Sequence, residues 1–244
     1  MADTQRLDKI LSNSGFGTRK EIKQMVRVGQ VTVDGRVVKD SSMHVNPYQN
    51  EVMVNGQKVE YREFVYLMMN KPAGVVSATW DNKFKTVVDL VPEAYRHFDV
   101  FPVGRLDRDT EGLLLLTNDG QLAHDLLSPK KHVPKTYYAK VDGKISQTDV
   151  EVFKKGVGLD DGYETLPAQL VILKSEEQSE IELTIVEGKF HQVKRMFEAV
   201  GKKVTYLQRI TMGAVDLDRG LELGACRELT HRELDELKNI DNEL

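Results

Sequence analysis

The 244-residue chain has a single cysteine, Cys226, so an internal disulfide is excluded and a reducing compartment is expected. Its longest apolar runs, Val65 to Met69 and Leu113 to Leu116, are a fraction of the roughly 20 residues a membrane-spanning helix needs. The opening "MADTQRLDKI" has no charged-then-apolar leader ending in small residues, and the expectation is a cytoplasmic protein with no membrane partner. No glycine-rich dinucleotide fingerprint is present, and His44, His124, His132 and His191 form no ligand pair at helical spacing, so neither a cofactor nor a metal is expected.

Net positive charge is lacking as well: the formal charge is −4. That total hides a local asymmetry. Between Arg6 and Lys39 the bases Arg6, Lys9, Arg19, Lys20, Lys23, Arg27, Arg36 and Lys39 face only Asp8, Glu21 and Asp34, whereas the stretch from Asp216 onward is rich in acids. For polyanion binding, the local face outweighs the total.

The first sixty residues read as one small unit. Thr18 and Glu21 have the spacing of a capping box, so a helix begins after Thr18, with Ile22, Met25 and Val26 on its apolar face and Gly29 as its left-handed terminator. Arg19, Lys20, Lys23 and Arg27 are then left on the outside. "VTVDGRVV" and "VMVNGQKV" alternate around Asp34-Gly35 and Asn55-Gly56, which predicts two hairpins.

From Val65 onward, strand patterns outnumber helical ones and do not alternate regularly with them. "VYLMMN", "VFPVGRL", "LLLLT", "KTYYAKV" and "SEIELTIVEG" read as strands, "QLAHDLLS" as a short helix, and Glu187 to Gly201 as a helix with Phe190, Val193, Phe197 and Val200 inward. The expected class is α+β: a small N-terminal unit of helices and hairpins (1–60), a linker (61–64), a domain with a mostly antiparallel or mixed sheet flanked by helices (65–238), and a tail (239–244).

Chemistry concentrates in "GRLDRDTEGLLLLTNDG", from Gly104 to Gly120. Asp107, Asp109, Glu111 and Gly112 match the first, third, fifth and sixth positions of a calcium loop. The twelfth position, which must supply a bidentate carboxylate, is Asn118, and four leucines occupy the seventh to tenth, so that reading fails. A carboxylate pair acting on a glycosidic bond is compatible with Asp107 and Asp109, but the spacing alone does not establish it.

The whole segment resembles the signature of pseudouridine synthases, specifically the RsuA branch that acts on ribosomal RNA, and the "RLDKIL" opening with its basic helices resembles the RNA-binding domain of the ribosomal-protein S-four type. The resemblance runs through residues 5 to 236. It implies that Asp107 is the catalytic carboxylate, that Asp109, Thr110 and Gly112 shape its loop, and that Glu111 is an exposed filler. It implies Lys194 as the cation beside Asp107, with Arg195 second, and Tyr137 as the ring packed on the target base, Tyr138 pointing the other way. "NKPAG" supplies a structural motif of Lys71, Pro72 and Gly74 beneath the site, and "VTYLQRITMGAVDLD" supplies Leu207, Arg209 and Gly213.

By the same resemblance Arg105 fills the gap left by a flipped uridine, and Arg195 with Arg6, Lys9, Arg19, Lys20, Lys23 and Arg27 contacts RNA. "HQVKRMF" agrees with the small-subunit branch rather than the large-subunit pattern, which implies a 16S ribosomal RNA target, as naked RNA or as a pre-ribosomal small-subunit particle, met by a monomer. The alternatives are a related branch acting on 23S or transfer RNA, and a non-catalytic RNA-binding or ribosome-assembly protein.

Overall fold

The structure is a computed structural model that describes residues 4–239; residues 240–244 of the expected tail lie outside the described residues. The chain divides into two compact units. The first comprises the chain up to Val65 together with Pro92–Val100, and the second comprises Tyr66–Val91 and the chain from Phe101 onward.

In the first unit, helices α1 (Leu7–Asn13) and α2 (Arg19–Arg27) lie against a four-stranded antiparallel sheet of β2 (Val31–Val33), β3 (Arg36–Val37), β5 (Val52–Val54) and β6 (Gln57–Lys58), ordered β3-β2-β5-β6. β1 (Gln5–Arg6) and β4 (His44–Val45) pair separately. The capping box forms as read: the Glu21 carboxylate accepts from the Thr18 amide at 2.7 Å, and Thr18 Oγ1 accepts from the Glu21 amide at 3.4 Å. Gly29, just past the helix end, has φ of 83°. Both hairpin turns put two residues at positive φ (Asp34 49° and Gly35 75°; Asn55 51° and Gly56 80°), as a type I′ turn requires.

Ile22 and Val26 of α2 join Leu7, Ile10, Leu11, Val31 and Val54 in one buried cluster. The segment 92–100, which the strand and helix patterns place in the long domain, belongs here. It carries α3 (Glu93–Arg96), and the His97 ring lies against Gly15 while the Arg62 guanidinium stands 6.0 Å from the Phe98 ring centre.

The second unit is built on a mixed sheet ordered β11-β12-β10-β13-β9-β7-β15: β7 is Tyr66–Lys71, β9 Glu111–Thr117, β10 Lys135–Asp142, β11 Gln169–Lys174, β12 Gln178–Ile185, β13 Lys203–Met212 and β15 Cys226–Glu228. The short β8 (Phe101–Pro102) pairs with β9, and β14 (Val215–Asp216) with β13. Neighbours run antiparallel except β13 and β9, which are parallel. The fold class is therefore α+β, as the irregular mixing of strand and helix patterns indicated.

Helices α4 (Gly120–Leu127), α5 (Gln147–Lys155), α6 (Gln192–Ala199) and α7 (His231–Lys238) flank the sheet. Leu113, Leu114, Leu115 and Leu116 are all at most 3% exposed, so β9 is buried on both faces, and each leucine contributes about 2 kcal/mol of burial. Leu113 and Leu115 pack with Leu122 and Leu126 of α4 and Leu237 of α7. That packing anchors the strand that follows the Asp107 loop.

Helix α6 starts later than its periodicity suggested. His191 is its N-cap in the left-handed conformation, with φ of 48°, and Phe190 is 73% exposed rather than inward. The cause is Glu187, whose carboxylate accepts from the Leu166 amide (2.9 Å), Tyr163 Oη (2.6 Å) and Gln192 Nε2 (2.8 Å). These bonds commit residues 187–191 to a turn.

Candidate active site

Asp107 sits in the loop between β8 and β9, and the loop is shaped from beneath by Lys71. Lys71 ends β7 and is wholly buried, and its Nζ donates to the carbonyl oxygens of Thr110 (2.9 Å), Pro72 (3.0 Å) and Asp107 (3.1 Å), with Arg108 at 3.4 Å. One ammonium thus gathers the backbone on both sides of Asp107. Burial pushes the Lys71 ammonium down to about 8, against the opposing pull of Asp109, Asp107 and Glu111. The Gly74 amide adds a bond to the Arg108 carbonyl at 2.7 Å, so the "KPAG" turn lies directly under the loop.

The far end of the loop is held by close approach of two strands. Gly112 has φ of 100°, and a Cβ there would stand 2.2 Å from the Arg209 carbonyl oxygen, its register partner on β13. Only glycine fits. Arg209 is 2% exposed and donates from Nε to the Leu113 carbonyl at 2.8 Å. Glu111 is not a filler: as the first residue of β9 it accepts from Tyr206 Oη at 2.7 Å.

The Asp107 carboxylate meets two groups of the α6 start. Lys194 Nζ is 3.2 Å from Oδ2, and His191 Nε2 is 3.5 Å from Oδ1. Lys194 also reaches Asp109 at 2.6 Å. Burial lowers the Lys194 ammonium, but the hydrogen bonds it donates to Asp109 and Asp107 outweigh it and the net direction is upward. Burial likewise raises the Asp109 carboxyl, and the Lys194 hydrogen bond reverses that to hold it below the usual carboxylate value. The geometry selects Lys194 over Arg195 as the partner of Asp107. The Arg195 guanidinium turns to Asp160, through Nε at 2.7 Å, and to Asp161 at 2.7 Å.

Tyr137 points from β10 into a solvent-open hollow that it lines with Arg105, Asp107, Thr110, His191 and Leu207. Its neighbour Tyr138 projects from the other face and donates to Glu180 at 2.6 Å, as strand alternation demands. Arg105 is exposed at the rim, and Leu207, 5% exposed, forms part of the lining. Sequence reasoning missed Lys135 and the relation of His191 to Asp107. Lys135 lines the adjoining cleft, donates to the Val133 carbonyl at 2.8 Å, and is driven down to about 8 by burial and by Arg209. The left-handed backbone that aims His191 is set by the turn around Glu187, which no helical or strand period marks.

On the first unit, Arg6, Lys9, Arg19, Lys20, Lys23 and Arg27 are all exposed. Arg6 is engaged by Asp8, through Nε at 3.0 Å and a second nitrogen at 2.6 Å.

The arrangement is a carboxylate, Asp107, beside an ammonium that it shares with Asp109, facing a hollow lined by Tyr137. Comparison with known proteins agrees. The RNA pseudouridylate synthase family profile matches residues 65–199, and the S4 domain profile matches residues 5–47. An uncharacterized RNA pseudouridine synthase of Bacillus subtilis is 55% identical over 230 residues, spanning 94% of this chain and 96% of that one. Ribosomal large subunit pseudouridine synthase B of Bacillus subtilis is 40% identical (97% and 96% covered), and ribosomal small subunit pseudouridine synthase A of Vibrio parahaemolyticus is 42% identical (96% and 100%). A crystal structure of a pseudouridylate synthase superposes with a TM-score of 0.67 at 35% identity, covering 95% of this chain and 99% of that one. The chain is a member of the RNA pseudouridylate synthase family, with an S4 domain ahead of the catalytic unit.

Proposed function

We propose that this enzyme converts one uridine of 16S ribosomal RNA, free or in a pre-ribosomal small-subunit particle, to pseudouridine, acting as a cytoplasmic monomer. The observation that carries the reading is the Asp107–Lys194 pair at the edge of the hollow lined by Tyr137. The target uridine leaves its stack and enters that hollow, where Tyr137 packs on the base. The N1–C1′ bond breaks, the uracil turns, C5 joins C1′, the C5 proton is lost and N1 takes one up, so no net oxidation or hydrolysis occurs.

Asp107 serves this rearrangement by attack on C1′, by promoting proton loss at C2′, or by addition at C6. In each route Asp107 acts as a carboxylate, and Lys194 at 3.2 Å holds it in position. The base seated against Tyr137 and Leu207 displaces water from the side of the hollow that they line. Arg105 occupies the space vacated in the RNA, and the exposed bases of the unit spanning 1–60 attract the phosphate backbone.

The choice of 16S RNA is supported by the "HQVKR" segment of α6, whereas identities of 42% and 40% to small- and large-subunit enzymes favour neither. A 23S target is the second reading, supported by the latter relative. Carbodiimide-stopped primer extension on ribosomal RNA from cells with and without the gene decides between them. A 16S stop that disappears with the gene is the expected result; a 23S stop, or none, overturns the assignment.

A further inference from the structure

The loop Ser77–Lys85, "SATWDNKFK", has no part in the site as described, yet it carries the only tryptophan of the chain, Trp80, with 76% of its surface exposed, and beside it Phe84 at 43%. A lone surface hydrophobic is ordinary. Three observations set this one apart.

The first is attachment. Ser77 Oγ donates to the Leu106 carbonyl at 2.9 Å and accepts from the Leu106 amide at 3.1 Å, and the Arg108 guanidinium stands 4.4 Å from the Phe84 ring centre. The two shoulders of the loop are therefore fastened to the residues on either side of Asp107. The second is a set tip: Asp81 Oδ1 accepts from the amides of Lys83 (2.8 Å) and Phe84 (2.9 Å), and the Val76 amide donates to the Lys85 carbonyl at 3.0 Å. Trp80 is thus presented by a hydrogen-bonded turn. The third is charge, since Lys83 and Lys85 are exposed on the same loop as the two rings, and Arg108, also exposed, stands over Phe84.

An open indole on a loop that also carries two exposed lysines matches the chemistry of an unpaired nucleotide: a flat base to stack and a phosphate to neutralise. We propose that Trp80 is a stacking platform for an unpaired RNA base adjoining the target uridine, with Lys83 and Lys85 on the accompanying phosphates. This rests on the RNA pseudouridine synthase reading and adds a residue that positions substrate outside the catalytic hollow. Because the loop is tied to Leu106 and Arg108, a base seated on Trp80 sets the distance from that base to Asp107. The role is recognition, not catalysis.

The tryptophan is its own probe, because all indole emission of the protein arises from it. Titration of the full-length protein with a 16S ribosomal RNA transcript should quench that emission saturably, at the same RNA concentrations that give binding by filter retention. Trp80→Ala should weaken RNA affinity about 5- to 150-fold, the range for losing one base–aromatic stack. It should raise KM and leave kcat within about twofold, and Trp80→Phe should retain most of the affinity. RNA that binds with no change in emission, or a Trp80→Ala enzyme with wild-type affinity and KM, overturns the platform while leaving the synthase intact. Wild-type protein that neither binds nor modifies the RNA overturns both.

Discussion

The ammonium of Lys194 stands 3.2 Å from Asp107 and 2.6 Å from Asp109, so one cation serves two carboxylates of a single loop. Asp109 is largely exposed and makes the shorter contact, while Asp107 faces the hollow. The shorter bond therefore holds Lys194 in place for the longer one. Asp107→Asn is expected to abolish tritium release from RNA labelled at uridine C5 and to leave RNA affinity within severalfold. Asp109→Asn should cost about tenfold or less, because Lys194 retains Asp107. Substantial turnover by Asp107→Asn removes the assignment.

Removing the cation takes away the partner that Asp107 and Asp109 share. Lys194→Met should lower kcat on the order of 100-fold, comparable with losing one preorganised electrostatic contact. Arg195→Met, whose partners are Asp160 and Asp161, should have a much smaller effect on kcat. Single-turnover kinetics at saturating RNA separates the two.

Lys71 makes a pH prediction. Its folded value of about 8 lies below the ordinary 10.5, so the unfolded chain binds this proton more tightly. Stability must then rise with pH between those values: the cost of charging the buried amine is full below about pH 8 and absent above about 10.5. Lys71→Met deprives the loop carbonyls of their donor and should destabilise by about 2–4 kcal/mol at neutral pH. Because methionine does not titrate, the gap between wild type and variant in urea unfolding should widen from pH 7.5 to 10. A constant gap contradicts a lowered Lys71 ammonium.

Gly112→Ala places a methyl group against the Arg209 carbonyl at a backbone angle that alanine avoids. The expected loss is about 3 kcal/mol or more, since neither the strain nor the overlap can be relieved without parting β9 from β13. A urea midpoint within error of wild type would mean that these strands lie farther apart.

Replacing Arg19, Lys20, Lys23 and Arg27 together by alanine should weaken RNA binding and flatten its dependence on salt, by roughly 0.7 to 0.9 in the log–log slope for each phosphate no longer neutralised. The rate at saturating RNA should not change. Filter binding between 50 and 200 mM salt provides the check, and an unaltered slope excludes this face.

Residue order determined what neighbours in sequence decide among themselves. The Thr18–Glu21 capping box, the left-handed Gly29, the two I′ turns and the opposed faces of Tyr137 and Tyr138 depend on spacings of one to four residues, and each was legible. So was the buried strand of four leucines. Asp107 and its partners were legible only through a resemblance of motifs, because no local rule distinguishes Asp107 from Asp109.

Tertiary structure decided the rest. Lys194 and Arg195 differ by about 100° around a helix, and which of them meets Asp107 depends on where α6 rests on β13, 87 positions away from the loop in sequence for Lys194. The exposure of Phe190 and the aim of His191 follow from Glu187 bonding to Leu166 and Tyr163, partners remote from the helix pattern. The allotment of 92–100 to the first unit has the same character, as does the binding of the Asp107 loop by Lys71 across 36 to 39 residues. Such contacts satisfy buried polar groups at a distance, and a buried amine or carbonyl selects its partner by what packing brings within about 3 Å, which periodicity does not encode.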